Sequence, residues 1–217
     1  MLCFSERELK STKITNMALI DNLISEGWLK TPRIIRAFKK IQRIDFLPEE
    51  EKGSADLNEA LPIGHQQTIS QPLVVAFMLE KLQPNPGHKI LDIGSGSGWT
   101  AALLAEIVKE KGRVIALEVV PELKKFGEMN ATKYGLPVEF ICADASKGYE
   151  KEAPYDGILC SAAVRKSLPE PWKKQLTTGG RIVAPVGSSI CLFVKKSEND
   201  FDEKEYPGFV FVPFVEK

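Results

Sequence analysis

Two kinds of hydrophobic spacing divide the chain near residue 85. Before it, apolar residues recur every three or four positions, the period of a helix with one buried face. The run from Met17 to Ile24 has this spacing, and Gly27 follows as a stop. Thr31-Pro32 opens a second helix, with Ile34, Ile35, Phe38 and Ile41 on one side. Asp45-Phe46-Leu47-Pro48 is expected to end it, and residues 49–58 read as a polar loop. A third helix is expected from Ser70-Gln71-Pro72 through Val74, Val75, Met78 and Leu79.

From residue 88 the pattern changes to short apolar runs alternating with helical ones. Strands are predicted at 89–93, 113–118, 138–142 and 156–160, with helices at 100–109 and from Pro121 to about Lys133. Strands that alternate with helices imply βαβ units and a parallel sheet covered on both faces. After Gly179-Gly180 the helices stop. Residues 181–185, 190–195 and 209–214 read as three strands joined by turns, so at least one pair is antiparallel. The fold class is therefore α/β: a doubly wound, Rossmann-like sheet with an antiparallel C-terminal end and an N-terminal helical addition. We divide the chain into a helical region, 1–85, packed on a main domain, 86–217.

The first strand leads into Asp92-Ile93-Gly94-Ser95-Gly96-Ser97-Gly98. A glycine loop between strand and helix is where α/β sheets bind nucleotides. The dinucleotide fingerprint would put glycine at 99, where Trp99 stands, which disfavours a dehydrogenase. S-adenosylmethionine has no pyrophosphate. It needs backbone room for its methionine part and carboxylates for its ribose hydroxyls and amine. Asp92, Glu118 and Asp144 end three successive strands, Glu118 suiting the ribose hydroxyls and Asp144 the adenine amino group. A glycine turn that merely packs a helix on the sheet is the plainer alternative. The three acids favour a cofactor site made of Asp92, Gly94, Ser95, Gly96, Ser97, Gly98, Glu118, Val119, Asp144 and Ala145. The array resembles that of class I S-adenosylmethionine-dependent methyltransferases.

Upstream, Leu61-Pro62-Ile63-Gly64-His65-Gln66-Gln67-Thr68-Ile69-Ser70-Gln71-Pro72 resembles a segment of the protein-L-isoaspartate (D-aspartate) O-methyltransferases. The resemblance continues through Leu91 to Leu103, Ala153 to Ile158, Ser161-Ala162-Ala163, Gly179 to Gly187 and Phe211-Val212-Pro213. It implies an enzyme that methylates the free carboxylate of isoaspartyl or D-aspartyl residues in damaged proteins, with S-adenosylhomocysteine as the product. Ser70 would orient the carboxylate, with Gln67, Thr68 and Ile69 completing the substrate cradle. A carboxylate is already anionic at neutral pH, so positioning and water exclusion matter more than a strong base. In isolation Ser70, two residues before Pro72, reads equally as a helix N-cap. A lid is expected from residues 49–58 or the N-terminal helices.

Four positions depart from the family pattern. Gln66 stands where glycine before Gln-Thr is common, so a side chain there would alter the loop or shrink the pocket. Asp56 and Asn58 replace Tyr and Asp, and Ala145 replaces a glycine beside the adenine. These departures keep two other readings open: a methyltransferase for small-molecule acids, and a cofactor-binding protein without catalysis.

Composition narrows the remaining choices. The 29 basic and 29 acidic residues of this 217-residue chain cancel, unlike the basic excess of most nucleic-acid binders, and no Asn/Asp-Pro-Pro-Tyr-like motif follows the fourth strand. Lys39, Lys40 and Arg43, the densest basic spot, read as the wet side of a helix. Four dispersed cysteines and two histidines, His65 and His88, disfavour a metal site. Cys142 and Cys160 read as buried small hydrophobes, His65 as an exposed loop residue, and Trp99 as either pocket lining or core. No secretory signal or membrane span is seen, so a cytoplasmic monomer that binds neither nucleic acid nor membrane is expected.

Overall fold

The computed structural model of the protein describes residues 17–215. Helix α1 occupies 17–25 and stops before Gly27, whose φ of 76° is the left-handed conformation that ends helices. Helix α2, Pro32–Lys40, buries Ile34, Ala37 and Phe38. It ends earlier than expected, and the Asp45-Phe46 segment lies in a separate 3₁₀ turn, Arg43–Phe46. The expected loop at 49–58 contains a second such turn, Glu49–Ser54.

Strands β1, Leu61–Gly64, and β2, Gln67–Ile69, form an antiparallel hairpin that periodicity did not reveal. Three or four residues are too few to show an alternating pattern. Helix α3, Pro72–Leu82, then runs to β3, Lys89–Ile93. Helix α4, Trp99–Val108, β4, Arg113–Glu118, α5, Pro121–Thr132, and β5, Val138–Cys142, complete two βαβ units. The chain returns through β6, Tyr155–Cys160, and the short helix α6, Glu170–Lys174. It ends in the meander β7, Leu176–Val186, β8, Ser189–Ser197, and β9, Asp200–Pro207.

The large sheet has the order β5-β4-β3-β6-β7-β8-β9, parallel from β5 to β7 and antiparallel from β7 to β9. The third C-terminal strand is not 209–214 but Asp200–Pro207, a charged run outside the expected strands. An edge strand needs no apolar face on its exposed side, so hydrophobicity did not mark it. Residues 209–214 instead run beside the sheet, with Pro213 bridged in parallel to Ala163.

Alternate residues of each central strand enter opposite cores, as the two-residue period of a strand requires. Ile90, Val114, Ala116, Leu159 and Val183 join the core that α1 to α5 cover. Leu91, Ile115, Leu117, Ile158 and Ile182 join the core closed by Trp172, Val164 and Leu168. The N-terminal helices share the first core through Ile20, Leu23, Ile34 and Phe38. Lys40 adds an ion pair to Glu106 of α4 at 2.8 Å.

This order creates a switch point. From β3 the chain moves to β4 and β5 on one side, then returns to place β6 on the other. The C-terminal ends of β3 and β6 therefore part, and a crevice opens there. Gly94 follows β3 and Ser161 follows β6, so these two residues flank it.

Candidate active site

The loop after β3 turns back through three left-handed glycines, Gly94, Gly96 and Gly98, with φ of 72°, 49° and 85°. Gly98 also permits a close approach. A Cβ there would lie 2.6 Å from the Gly127 carbonyl oxygen, and one on Gly127 would lie 2.8 Å from the Gly96 oxygen. Gly98 thus seats α5 against the loop and does not line the cleft. Gly127, in the middle of a helix, is its necessary partner, and the sequence pattern gave no reason to single it out.

Glu118, 6% exposed, is held by three backbone N–H groups. Oε2 accepts from Gly96 at 2.9 Å, and Oε1 accepts from Val119 at 2.9 Å and Val120 at 3.0 Å. These bonds fix its orientation and leave acceptor capacity for a ligand hydroxyl. Asp92 differs: it is fully buried, and neither carboxylate oxygen has a partner. Burial, with Glu118 nearby, pushes its pKa up to about 7. A carboxylate left unpaired in a protein interior is costly. A cationic amine donor would satisfy it, and the methionine end of S-adenosylmethionine carries one. The residues present therefore fit that cofactor.

A cleft opens over the loop. It is lined by Gly94, Gly96, Glu118, Val119 and Ala145 among the expected cofactor residues, and by Gln67 and Thr68 among the expected substrate residues. Asp92 lies buried beneath it. Asp144 is placed beside it, its Oδ1 accepting from the Ser146 N–H at 2.8 Å to cap a 3₁₀ turn, while Ala143 and Ala145 face the cleft. Ser95 and Ser97 line a smaller adjoining pocket with Ile69, Ser70, Trp99 and Thr100. A third pocket lies between Ser70, Gln71, Val74 and the segment Val210 to Val212. Thr68 and Ser161 line all three. They stand where the spaces meet.

Ser70 does not cap α3. Gln71 holds the N-cap position, and the Leu73 N–H donates to Asn58 Oδ1 at 3.0 Å. Asn58, a departure from the family pattern, thus caps the helix from a distance and leaves the Ser70 hydroxyl to the pockets. Gln66 also has a clear place. It and His65 form the two-residue turn between β1 and β2, with φ of 59° and 53°. Both are exposed and neither lines a pocket, so Gln66 strains the turn without shrinking the cleft.

Two expectations are corrected. Arg43 is not on a wet helix face but 3% exposed beneath the substrate segment. Cys142 is exposed, because it ends a strand at the sheet's edge, whereas Cys160 is buried and its thiol is pushed up to about 12 by desolvation. Trp99 is both core and lining. It is 3% exposed, packs edge-on against Phe38 and borders the pocket with Ser70. Among the described residues, the buried side-chain polar atoms without a partner belong to Arg43, Asp92, Ser95 and Trp99. Asp92, Ser95 and Trp99 lie in or beside the glycine loop, and Arg43 lies beneath the substrate segment. Ser161 was missed as a site residue in its own right. The signal that could have found it is its place directly after the strand across the switch point.

The model of the family described as Protein-L-isoaspartate(D-aspartate) O-methyltransferase matches residues 14–217. The chain belongs to this family. The protein-L-isoaspartate O-methyltransferase of Methanopyrus kandleri is 41% identical over 203 residues, covering 91% of this chain and 89% of that one. The protein-L-isoaspartate O-methyltransferase 2 of Archaeoglobus fulgidus is 43% identical over 185 residues, covering 83% and 84%. Among solved structures, a protein-L-isoaspartate O-methyltransferase superposes with a TM-score of 0.83 at 27% identity, covering 91% of this chain and 65% of that one. The crystal structure of a putative protein-L-isoaspartate O-methyltransferase from Plasmodium falciparum, in complex with S-adenosyl-L-homocysteine, shares the fold with a TM-score of 0.80. It is 22% identical and covers 92% of this chain and 98% of that one. Within the described residues, no helix is long and apolar enough to cross a membrane.

Proposed function

We propose that this chain carries out its family's reaction in the cleft at the switch point. The reaction is methyl transfer from S-adenosylmethionine to the free carboxylate of an L-isoaspartyl or D-aspartyl residue in a damaged protein. The observation that carries this reading is the shared wall of Thr68 and Ser161, where the cleft over the glycine loop meets the pocket beside Ser70.

When bound, S-adenosylmethionine supplies an electrophilic methyl group on a sulfonium. Asp92 would hold it by its amine and Glu118 by its ribose hydroxyls, and Val119, Ala143 and Ala145 would line the rest of its cleft. The region 86–217 thus supplies the cofactor site, and 1–85 supplies the substrate segment. Ser70 donates its hydroxyl to one oxygen of the acceptor carboxylate and leaves the other free to attack. Thr68 and Ser161 flank that oxygen, with Gln67 and Ile69 shaping the cradle. The acceptor carries its own negative charge, so no side chain need remove a proton. Catalysis is positioning and exclusion of water.

Labelled S-adenosylmethionine and two matched peptides, one with isoaspartate and one with normal aspartate, test this reading. Label is expected on the isoaspartyl peptide alone. Cofactor binding with label on neither peptide would defeat it. We further propose a cytoplasmic monomer that acts on polypeptides and not on nucleic acid or membranes. The balanced charge, without the basic excess of nucleic-acid binders, supports the exclusion of nucleic acid.

A further inference from the structure

Among the described residues Arg43 is the one buried arginine, and it lies outside the three pockets just described. Its guanidinium donates only to main-chain carbonyls. Nη1 reaches Ala55 and Leu57, each at 3.0 Å, and Nη2 reaches Glu59 at 2.6 Å and Ser70 at 3.3 Å. Nε is buried without a partner. Carbonyl dipoles stabilise a cation but do not cancel its charge. Among the described residues no carboxylate lies within ion-pairing distance of it, and Asp56 acts on it only through space. Burial lowers its pKa to about 10, with Asp56 opposing, so it remains charged at neutral pH. The guanidinium carbon stands 5.6 Å from the centroid of the Trp99 ring, and that ring borders the pocket containing Ser70.

We propose that Arg43 is a positioning residue for the methyl transfer: it fixes the Ser70 segment by its carbonyl and gives the carboxylate pocket a positive field that raises affinity for the anionic acceptor. This rests on the function proposed above. The sign of the charge determines where the effect appears. Transfer joins an anion to a sulfonium cation, and both charges fade toward the transition state. A fixed positive charge therefore favours the bound carboxylate more than the transition state, so it lowers KM without raising kcat. Acting from the interior, it is little screened by salt.

A purely structural tie would also make Arg43 important, so the test must separate charge from hydrogen bonds. R43K keeps a cation but cannot reproduce the forked contacts, whereas R43Q removes the charge. D56N leaves every carbonyl contact in place and removes the carboxylate that offsets the guanidinium. Peptide KM, kcat, S-adenosylhomocysteine affinity and Tm are measured for all three, after wild-type turnover on the isoaspartyl peptide is established. We expect R43Q to raise peptide KM about tenfold or more, with kcat changed less than about threefold. R43K should recover most of that KM although its Tm falls like that of R43Q. D56N should lower KM about twofold to threefold, and it remains informative if both Arg43 variants fail to fold. Cofactor-product affinity should hold throughout. Equal KM values in R43K and R43Q, or an unchanged or raised KM in D56N, would overturn the proposal. An inactive wild type would instead defeat the underlying reading of function.

Discussion

The two walls of the cleft are built by different means. The cofactor wall grows out of the sheet. Its loop is fixed by β3 and β4, by three left-handed glycines, and by Glu118 accepting from three backbone N–H groups. The substrate wall has no such continuity. It consists of the segment 209–215, tied by backbone bonds to Ser188 and Ala163, and of a two-stranded hairpin and the start of α3, held by side chains that reach main-chain groups. Arg43 and Asn58 do most of this. A wall carried by backbone geometry tolerates no added atoms. A wall carried by side chains can be retuned one residue at a time.

The largest effect should come from Gly98→Ala. The new Cβ meets the Gly127 backbone at 2.6 Å, where nothing flexible can move aside, and a φ of 85° adds strain. A loss of about 3 kcal/mol or more is expected, lowering Tm by roughly 6–12 °C. An unchanged melting curve would mean the cofactor wall is softer than argued.

Ser70→Ala should be next. It removes a hydrogen bond to a charged group, worth about 1.5–3 kcal/mol, or roughly a 10–150-fold loss of kcat/KM on the isoaspartyl peptide. S-adenosylhomocysteine affinity and Tm should stay near wild type, because the hydroxyl caps no helix. A fall in cofactor affinity would show that the two walls are not separable at this residue.

Asp92 sharpens the contrast through pH. Its folded-state pKa of about 7 lies above the ordinary carboxylate value of 3.8. The ligand-free folded protein therefore keeps a proton that the unfolded chain releases. The stability this contributes is full below about pH 4 and is lost as pH rises toward 7. Asp92→Asn should accordingly melt higher than wild type at pH 8, by roughly 4–8 °C for about 2 kcal/mol, yet bind the cofactor far more weakly. Calorimetry at pH 5 and pH 8 checks the sign. A larger gain at pH 5 than at pH 8 would refute it.

The smallest effect belongs to the hairpin turn. Gln66→Gly relieves a left-handed side chain, for a gain of up to about 1 kcal/mol and roughly 2–4 °C in Tm. Turnover should stay within about twofold, because Gln66 lines no pocket. A larger change in peptide KM would bring the turn into the substrate wall.

The same contrast explains what could be read from the sequence. The cofactor wall was legible because strands β3 to β6 carry short, mostly apolar runs alternating with helices and the glycines of the loop follow β3 at fixed spacing. Asp92 and Glu118 fall at or next to strand ends, Asp92 buried beneath the crevice and Glu118 lining it. The substrate wall was legible mainly through its likeness to a family. Arg43 follows two lysines and has the composition of a solvated helix face, yet α2 ends at Lys40 and the chain turns it inward. The cap at Asn58 and the junction at Ser161 depend on segments far apart in the chain, which local patterns cannot join. Ser70 shows the limit most clearly. Its spacing from Pro72 fits a cap, and only the position of Asn58 decides otherwise.

Strand β9 has a consequence of its own. It ends the sheet with Asp200, Asp202, Glu203, Lys204 and Glu205 exposed, leaving one long border dense in charge. Damaged proteins are apt to be frayed, and frayed chains seek unpaired strands to zip onto. A charged border denies them that template. An enzyme that must handle such clients repeatedly can then meet them at its cleft and release them, instead of becoming the seed on which they accumulate.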